Sequence, residues 1–166
     1  ISIQEGIDSD LAVQPGIIIQ VAPCTYYENI NFHGLDIIVQ SSHGAENTII
    51  DGLNGAANIS VIEFKEDEPS TAELRGFTIK NGGMGNNTIN YGGGIYIGEG
   101  SASPTLENLI IEDNRAENGG GIYCTSNTAP TFDNVIISNN QVYSDSGERG
   151  NGGGVIVKAN SHPIFN

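Results

Sequence analysis

An acidic run followed by an arginine is the first set of residues whose types suggest chemistry. The run "EFKEDE" occupies positions 63–68, and the set comprises Glu63, Glu66, Asp67, Glu68 and Arg75. Carboxylate oxygens are the ligands that calcium prefers, so these acids could hold a cation. The simpler interpretation is a solvated acidic loop with an arginine that pairs with it or with a neighbouring segment.

Two tyrosines form the second set. Tyr96 and Tyr123 each follow three glycines and an isoleucine, in "YGGGIYI" and "NGGGIYC". Because they occupy equivalent positions of a repeat, both tyrosines should point outward from one column of strands. Ile156 occupies the same position in the following repeat. A flat aromatic stripe can stack on sugar rings, which makes Tyr96 and Tyr123 candidate ligand-binding residues. The simpler interpretation is cross-strand packing that shields the sheet surface.

The remaining acidic, histidine and cysteine residues give weaker indications. Glu107 and Asp133 occupy equivalent positions and should stack outward about 5 Å apart, as a consequence of repetition or as part of a calcium ladder. The three histidines lie far apart in expected turns, at His33, His43 and His162. No zinc-type ligand spacing is visible among them, and we predict neither a metal site nor catalytic residues.

A repeat explains the spacing of these residues. "PTLENLIIEDNRAENGGGIYC" begins at Pro104, "PTFDNVIISNNQVYSDSGERGNGGGVIV" at Pro130, and a third unit at Pro163. The prolines are 26 (130 − 104) and then 33 (163 − 130) residues apart, because the second unit carries the insert "SDSGERG". Each unit holds three short apolar runs with strand-like alternation. Such a unit is one turn of a parallel β-solenoid.

We name the three strand columns after the residues that precede them. The glycine column follows Gly-Gly-Gly, the proline column follows Pro, and the asparagine column follows Asn108 or Asn134. In the earlier half, where these markers are scarce, we assign 16–21, 36–40 and 59–64 to the glycine column. We assign 28–32, 47–50 and 72–75 to the proline column and 76–80 to the asparagine column. This gives about six turns.

The register predicts the interior. Its apolar ladders are Ile95, Ile122 or Cys124, and Val155 or Val157; Leu106, Phe132 and Phe165; and Phe77, Ile79, Leu109, Ile111, Val135 and Ile137. Asn114 and Asn140 recur at one corner, where an inward asparagine can bond the turns above and below. Cys24 and Cys124 lie several turns apart, beyond disulfide reach. We therefore predict no intrachain disulfide and a buried Cys124.

A short helix is expected to cover the first turn. Ser2 and Glu5 form a capping box, and Ile3, Ile7 and Leu11 recur on one face, so we predict a helix over 2–12. Exposed strand edges invite aggregation, and such a helix protects them. We expect one β-helix domain over 1–166, with turns over 16–166, that is the N-terminal part of a longer solenoid.

Charge and hydropathy exclude several classes of partner. Twenty acidic and six basic residues give a net charge of −14, which disfavours nucleic acids and anionic membranes because both need basic surfaces. No apolar run is long enough for a membrane span. We expect no cofactor, with calcium as the one metal ion that the acidic residues suggest.

The motifs "LRGFTIKNGG", "GGGIYI", "SPTLENLIIEDNRAENGGGIYC" and "APCTYYENINF" resemble secreted bacterial right-handed parallel β-helix repeat proteins of the pectate-lyase-like superfamily. The resemblance covers essentially the whole chain. One departure is Cys24, where such proteins usually carry glycine. It implies an all-β right-handed parallel β-helix and an extracellular or bacterial cell-surface location.

The resemblance leaves three functions open, since fold does not determine function. The first is a non-enzymatic surface module for adhesion, display or assembly, with polysaccharide or cell-surface components as partners. The second is a polysaccharide lyase or glycoside hydrolase with its groove on the β-helix. The nearest approach to a lyase site is the acidic run with Arg75, and the hydrolase signatures are missing. The third is a subunit that associates end to end with copies of itself.

Overall fold

The chain forms one short helix followed by strands wound into a parallel coil. A computed structural model describes residues 2–9, 15–54, 59–84, 90–143 and 150–166. The helix is α1 (Ile3–Ser9), and the first turn contains β1 (Ile17–Val21), β2 (Thr25–Tyr26) and β3 (Ile30–Asn31). The second turn contains β4 (Ile37–Ser41), β5 (Ile49–Asp51), a 3₁₀ segment (Gly52–Asn54) and β6 (Ile62–Phe64).

The later turns follow the same plan with short strands. The third turn contains β7 (Glu73–Arg75), β8 (Thr78–Lys80) and β9 (Ile95–Ile97). The fourth contains β10 (Thr105–Glu107), β11 (Ile110–Glu112), β12 (Arg115–Ala116) and β13 (Ile122–Cys124). The fifth contains β14 (Thr131–Asp133), β15 (Ile136–Ser138), β16 (Gln141–Val142) and β17 (Val155–Val157), and β18 (Ile164–Phe165) follows.

Like strands of successive turns pair in parallel and build three long sheets. The proline column is the sheet β1-β4-β7-β10-β14-β18, the asparagine column is β2-β5-β8-β11-β15, and the glycine column is β3-β6-β9-β13-β17. A small fourth sheet joins β12 and β16 at the corner before the triple glycines. The predicted parallel β-helix is confirmed, with five complete turns and one further strand rather than about six turns.

The column assignment is wrong for most of the first two turns. Residues 16–21 and 36–40 contribute β1 and β4 to the proline column, and 28–32 contributes β3 to the glycine column. Residues 47–50 contribute β5 to the asparagine column. The cause is β2, a two-residue strand that the alternation of apolar residues does not reveal. Without it, each early strand is displaced by one column.

The interior ladders are confirmed through the middle turns. Side chains of all three columns there are almost fully buried, among them Leu74, Phe77, Ile79, Ile95, Leu106, Leu109, Ile111, Ile122, Cys124 and Phe132. Phe32 and Phe64 contact each other across the first two turns, with tilted rings whose centroids are 4.4 Å apart. In the last strands Val157 and Phe165 are exposed instead, although Phe165 still stacks on Phe132 at 4.8 Å.

A left-handed residue makes the tight corner between the proline and asparagine columns. Gly76, Asn108 and Asn134 occupy this corner in successive turns with φ of 79°, 53° and 50°. Asparagine tolerates this region better than other residues with a Cβ. Asn134 Nδ2 also donates to Asn108 Oδ1 at 2.7 Å. The corner thus needs only two residues between strands, which keeps successive turns in register.

The N-terminal helix caps the first turn, as predicted. Ser2 N donates to Glu5 Oε2 at 3.0 Å and Glu5 N donates to Ser2 Oγ at 3.0 Å, which is the expected capping box. The Glu28 carboxylate accepts two further N–H groups, from Ile3 and Gln4. Ile3 and Ile7 are buried. Leu11 and the predicted end of the helix lie outside the described residues.

Candidate functional site

The two predicted tyrosines form a stack on the outer face of the glycine column. Tyr96 and Tyr123 are Cα partners in β9 and β13, and Ile156 follows in β17. The rings of Tyr96 and Tyr123 are 5.9 Å apart at their centroids and inclined by only 6°. Sequence reasoning therefore placed this pair correctly, and cross-strand packing of the two rings is confirmed. We call the pair the tyrosine ladder.

Only one member of the tyrosine ladder is open to a ligand. Tyr123 is 7% exposed, because the ring of Tyr91 lies over it at 4.8 Å and the Lys158 ammonium lies 5.8 Å from its centroid. Tyr96 is half-buried, and Glu63 of the preceding turn is its Cα partner on the other side. The accessible aromatic surface therefore belongs to Tyr96 and Tyr91, which is itself 46% exposed.

A depression of about 220 Å³ opens beside Tyr96. We call it the Tyr96 cleft, and its lining consists of Ser60, Glu63, Lys65, Asn90, Tyr91, Tyr96 and Glu99. Sequence analysis missed most of these residues. Tyr91 could have been found by aligning the turns, because it precedes a triple glycine where the later turns carry Asn118 and Asn151, and the three residues form parallel bridges.

Charges in the Tyr96 cleft are partly paired. Lys65 Nζ lies 2.7 Å from Glu63 Oε2, and this hydrogen bond is the main cause that raises the pKa of Lys65. Glu99 makes no ion pair or carboxylate hydrogen bond within the described ranges. Burial, followed by the nearby Glu99 carboxylate, raises the pKa of Tyr96 to about 12. The Tyr96 phenol is therefore neutral at physiological pH, and the cleft carries a net negative charge.

A glycine two residues after Tyr96 leaves room for its ring. A Cβ on Gly98 would stand 2.7 Å from Tyr96 Oη and 2.6 Å from Thr125 Cγ2. The absent side chain at position 98 therefore leaves the space that the phenol occupies. On the other side of the cleft, Ser60 Oγ donates to the Tyr91 backbone oxygen at 3.2 Å. Both aromatic surfaces are held by contacts between neighbouring turns.

The acidic run does not converge on Arg75. Glu68 is fully buried and accepts the N–H groups of Gly34 at 3.0 Å and Glu66 at 3.2 Å. Asp67 Oδ1 accepts the Ser101 N–H at 2.6 Å. Arg75 lies in the proline column and bonds Gln40 and Glu73. Among the described residues no three His, Cys, Asp or Glu side chains are grouped to hold a metal ion.

Glu107 and Asp133 stack as predicted, in a column that also contains the arginine. The two acids are Cα partners in β10 and β14, and Glu107 is paired on its other side with Arg75. Asn108 Nδ2 donates to Glu107 Oε1 at 2.7 Å. The arrangement is thus a mixed polar stripe, in which the like-charged pair is flanked by a cation.

The histidines and cysteines occupy separate places. His33 lies between Asp8 of the capping helix, at 3.6 Å, and Glu66, at 3.7 Å. The His43 ring bonds Ser42 Oγ at 2.8 Å. Both cysteines are free; Cys124 is buried, as predicted, and Cys24 is exposed. They lie in the first and fourth turns, and burial raises the pKa of the Cys124 thiol to about 12.

Comparison with known protein families shows a similarity within the fourth turn. Residues 108–125 match the repeat of the Chlamydia polymorphic membrane proteins (Chlamydia_PMP). The matched stretch contains β11, β12, the triple glycine and β13. This chain is a β-helix repeat protein. No curated protein and no solved structure matches it significantly.

The matched stretch contains three features of the repeat described above. It includes Asn114, the triple glycine at 119–121 and Tyr123 of the tyrosine ladder.

None of the helices in the described part of the chain is long and apolar enough to cross a membrane.

Proposed function

We propose that this chain is a non-enzymatic β-helix module of a bacterial surface protein, used for display, adhesion or assembly. The observation that carries the proposal is the repeat match at 108–125, which falls inside a regular stack of turns. A rigid parallel coil is an extended scaffold on which outward side chains recur at each turn, and that geometry suits presentation of a surface.

The use of polar side chains supports a scaffold role. Arg75, which a lyase site would need as a base, is engaged with Gln40 and Glu73. Glu68 caps backbone N–H groups in the interior, and Asp67 bonds the following turn through Ser101. These groups hold successive turns together, which is the work expected in a structural module.

Surface labelling of the cell that produces the protein tests the proposal. Antibodies raised against the 166-residue chain should label intact cells, and external protease should remove that label. An abundant cytoplasmic protein serves as the control and should be labelled only after permeabilisation. Labelling of this protein only after permeabilisation would contradict the proposal.

An assay for activity tests the non-enzymatic part separately. Incubation with polygalacturonate and related acidic polysaccharides, with calcium, should release neither reducing sugar nor unsaturated uronate. Release that disappears in Arg75→Ala but persists in Lys158→Ala would establish the lyase alternative instead. Both variants remove one exposed or half-buried cation, so their overall charge is matched.

A further inference from the structure

We propose that the Tyr96 cleft binds an uncharged pyranose ring of a glycan. Tyr96 would stack on the apolar face of the sugar, Tyr91 would form a side wall, and Glu63, Lys65, Glu99 and Ser60 would bond its hydroxyls. The inference deepens the proposed surface function by naming a ligand class. Binding and surface location are measured independently, so either can fail without the other.

The first argument is the unfinished stack of rings. Tyr123 stacks on Tyr96 at 5.9 Å and contacts the tilted ring of Tyr91 at 4.8 Å, so little of its surface is left for a ligand. The Tyr96 ring stacks on Tyr123 and also lines the cleft. A sugar ring presents a flat face of C–H groups, and such a face continues an aromatic stack by burying apolar surface on both partners.

The second argument is the mixture of donors and acceptors around that face. Sugar hydroxyls both donate and accept, so they fit a rim that contains carboxylates, an ammonium group and an amide. Glu63 and Glu99 accept, and Lys65 and the Asn90 side-chain amide donate. Hydrogen bonds to charged groups are stronger than neutral ones. A cleft of about 220 Å³ has room for one ring and accompanying waters.

The third argument is charge, which selects between sugars. Lys65 is neutralised by Glu63 at 2.7 Å, and Glu99 then leaves the cleft negative. The chain as a whole carries a net charge of −14. A uronate carboxylate entering this cleft is repelled at short range and by the field of the whole chain. The geometry therefore favours a neutral glycan over a polyuronate.

Nuclear magnetic resonance of the 166-residue chain with labelled tyrosines tests the inference. Neutral oligosaccharides of glucose, galactose and mannose are each titrated to about 10 mM, alongside oligogalacturonate of equal length. At least one neutral oligosaccharide should shift the ring signals of Tyr91 and Tyr96. The signals of Tyr27, which is 57% exposed elsewhere on the coil, should not move.

Single substitutions test whether the changes in the tyrosine signals arise from binding in the Tyr96 cleft. Tyr91→Ala should weaken binding about tenfold, whereas Tyr27→Ala, which removes another exposed ring, should leave it unchanged. Gly98→Ala should weaken binding comparably without removing a lining side chain, because its Cβ displaces the Tyr96 phenol. Circular dichroism confirms that each variant is folded before it is titrated.

The expected preference for neutral over charged sugars is tested by comparing their affinities. Oligogalacturonate should bind at least about tenfold more weakly than the neutral ligand at low salt. This difference in affinity should become smaller in Glu99→Gln, which removes a repelling charge. It should also become smaller at high ionic strength, because salt screens the repulsion. The inference is overturned if no neutral oligosaccharide shifts Tyr91 or Tyr96, if Tyr91→Ala binds like the unmodified chain, or if oligogalacturonate binds as tightly.

Discussion

Asn114 joins three turns of the coil through one side chain. Its Oδ1 accepts the Gly82 N–H at 2.9 Å, and its Nδ2 donates to the Ile79 oxygen at 3.0 Å, both in the third turn. The same amide donates to Asn140 Oδ1 at 3.0 Å in the fifth turn. Because Asn114 is 1% exposed, water cannot replace these bonds. Asn140 makes the equivalent bond one turn later, because its Nδ2 donates to the Ile111 backbone oxygen at 2.8 Å.

Replacement of this residue should be costly. We expect Asn114→Ala to lower the free energy of unfolding by about 2–3 kcal/mol, since a buried group left unpaired costs about 1–3 kcal/mol. Asn47→Ala is the matched control, because Asn47 is exposed and its side-chain amide donates to the His43 oxygen at 2.9 Å. It should change the free energy by less than about 0.5 kcal/mol. Urea unfolding followed by circular dichroism measures both, and equal effects would contradict the assignment.

At the scale of elements, the triple glycines are explained by close contact between neighbouring turns. A Cβ on Gly93 would meet the Gly120 oxygen at 2.4 Å and the Arg115 oxygen at 2.7 Å. One on Gly120 would meet the Gln141 oxygen at 2.2 Å. These are backbone atoms that pair the turns, so they cannot move aside. The corner before each glycine-column strand therefore requires the absence of a side chain.

Two glycine substitutions should act in opposite directions. Gly93→Ala should destabilise the chain by several kcal/mol or prevent folding, because its Cβ overlaps backbone of the next turn. Gly6→Ala is the control, since Gly6 lies inside α1 and its nearest contact would be Ile19 Cγ2 at an ordinary 3.5 Å. Alanine at position 6 should raise the free energy of unfolding by up to about 1 kcal/mol, because it favours the helix more than glycine does. Thermal unfolding compares them, and a stable Gly93→Ala variant would refute the close-contact explanation.

At the scale of the whole molecule, negative charge dominates the surface. The net charge of −14 produces self-repulsion that opposes the compact state, and added salt screens it. The acids of the 63–68 run are individually engaged. Glu63 pairs with Lys65, Glu68 caps buried backbone, and Asp67 bonds Ser101. This arrangement favours general screening over a specific calcium cage.

Calcium should therefore stabilise the chain no more than magnesium does. We expect sodium chloride to raise the melting temperature, and calcium and magnesium chloride at equal concentration to raise it equally. Scanning calorimetry with and without a chelator measures the difference. A specific site would stabilise the folded state in proportion to the logarithm of calcium concentration. A calcium-specific rise of several degrees that the chelator removes would contradict this prediction.

Repetition made much of this molecule readable from its sequence alone. From the triple glycine at 92–94 onward, Pro, Asn and Gly-Gly-Gly mark the three columns. The strand pairing there, the inward Asn114 and the tyrosine ladder therefore followed by alignment. The capping box at Ser2 and Glu5 is equally local, because its partners lie three residues apart. In such cases the physical determinant is written in adjacent residues or in equivalent positions of a repeat.

Tertiary structure decided what lies between turns where the repeat is irregular. The observed columns of the early strands differ by one from the predicted columns, because alternating apolar residues do not distinguish the three sheets. Glu68 proved to be buried, and Arg75 proved to lie apart from the acidic run, because both depend on how the intervening loop closes. The Tyr96 cleft combines Glu63, Tyr91 and Glu99 from two successive turns. Residues one turn apart are far apart in sequence but only one strand spacing apart in space, so winding alone brings them together.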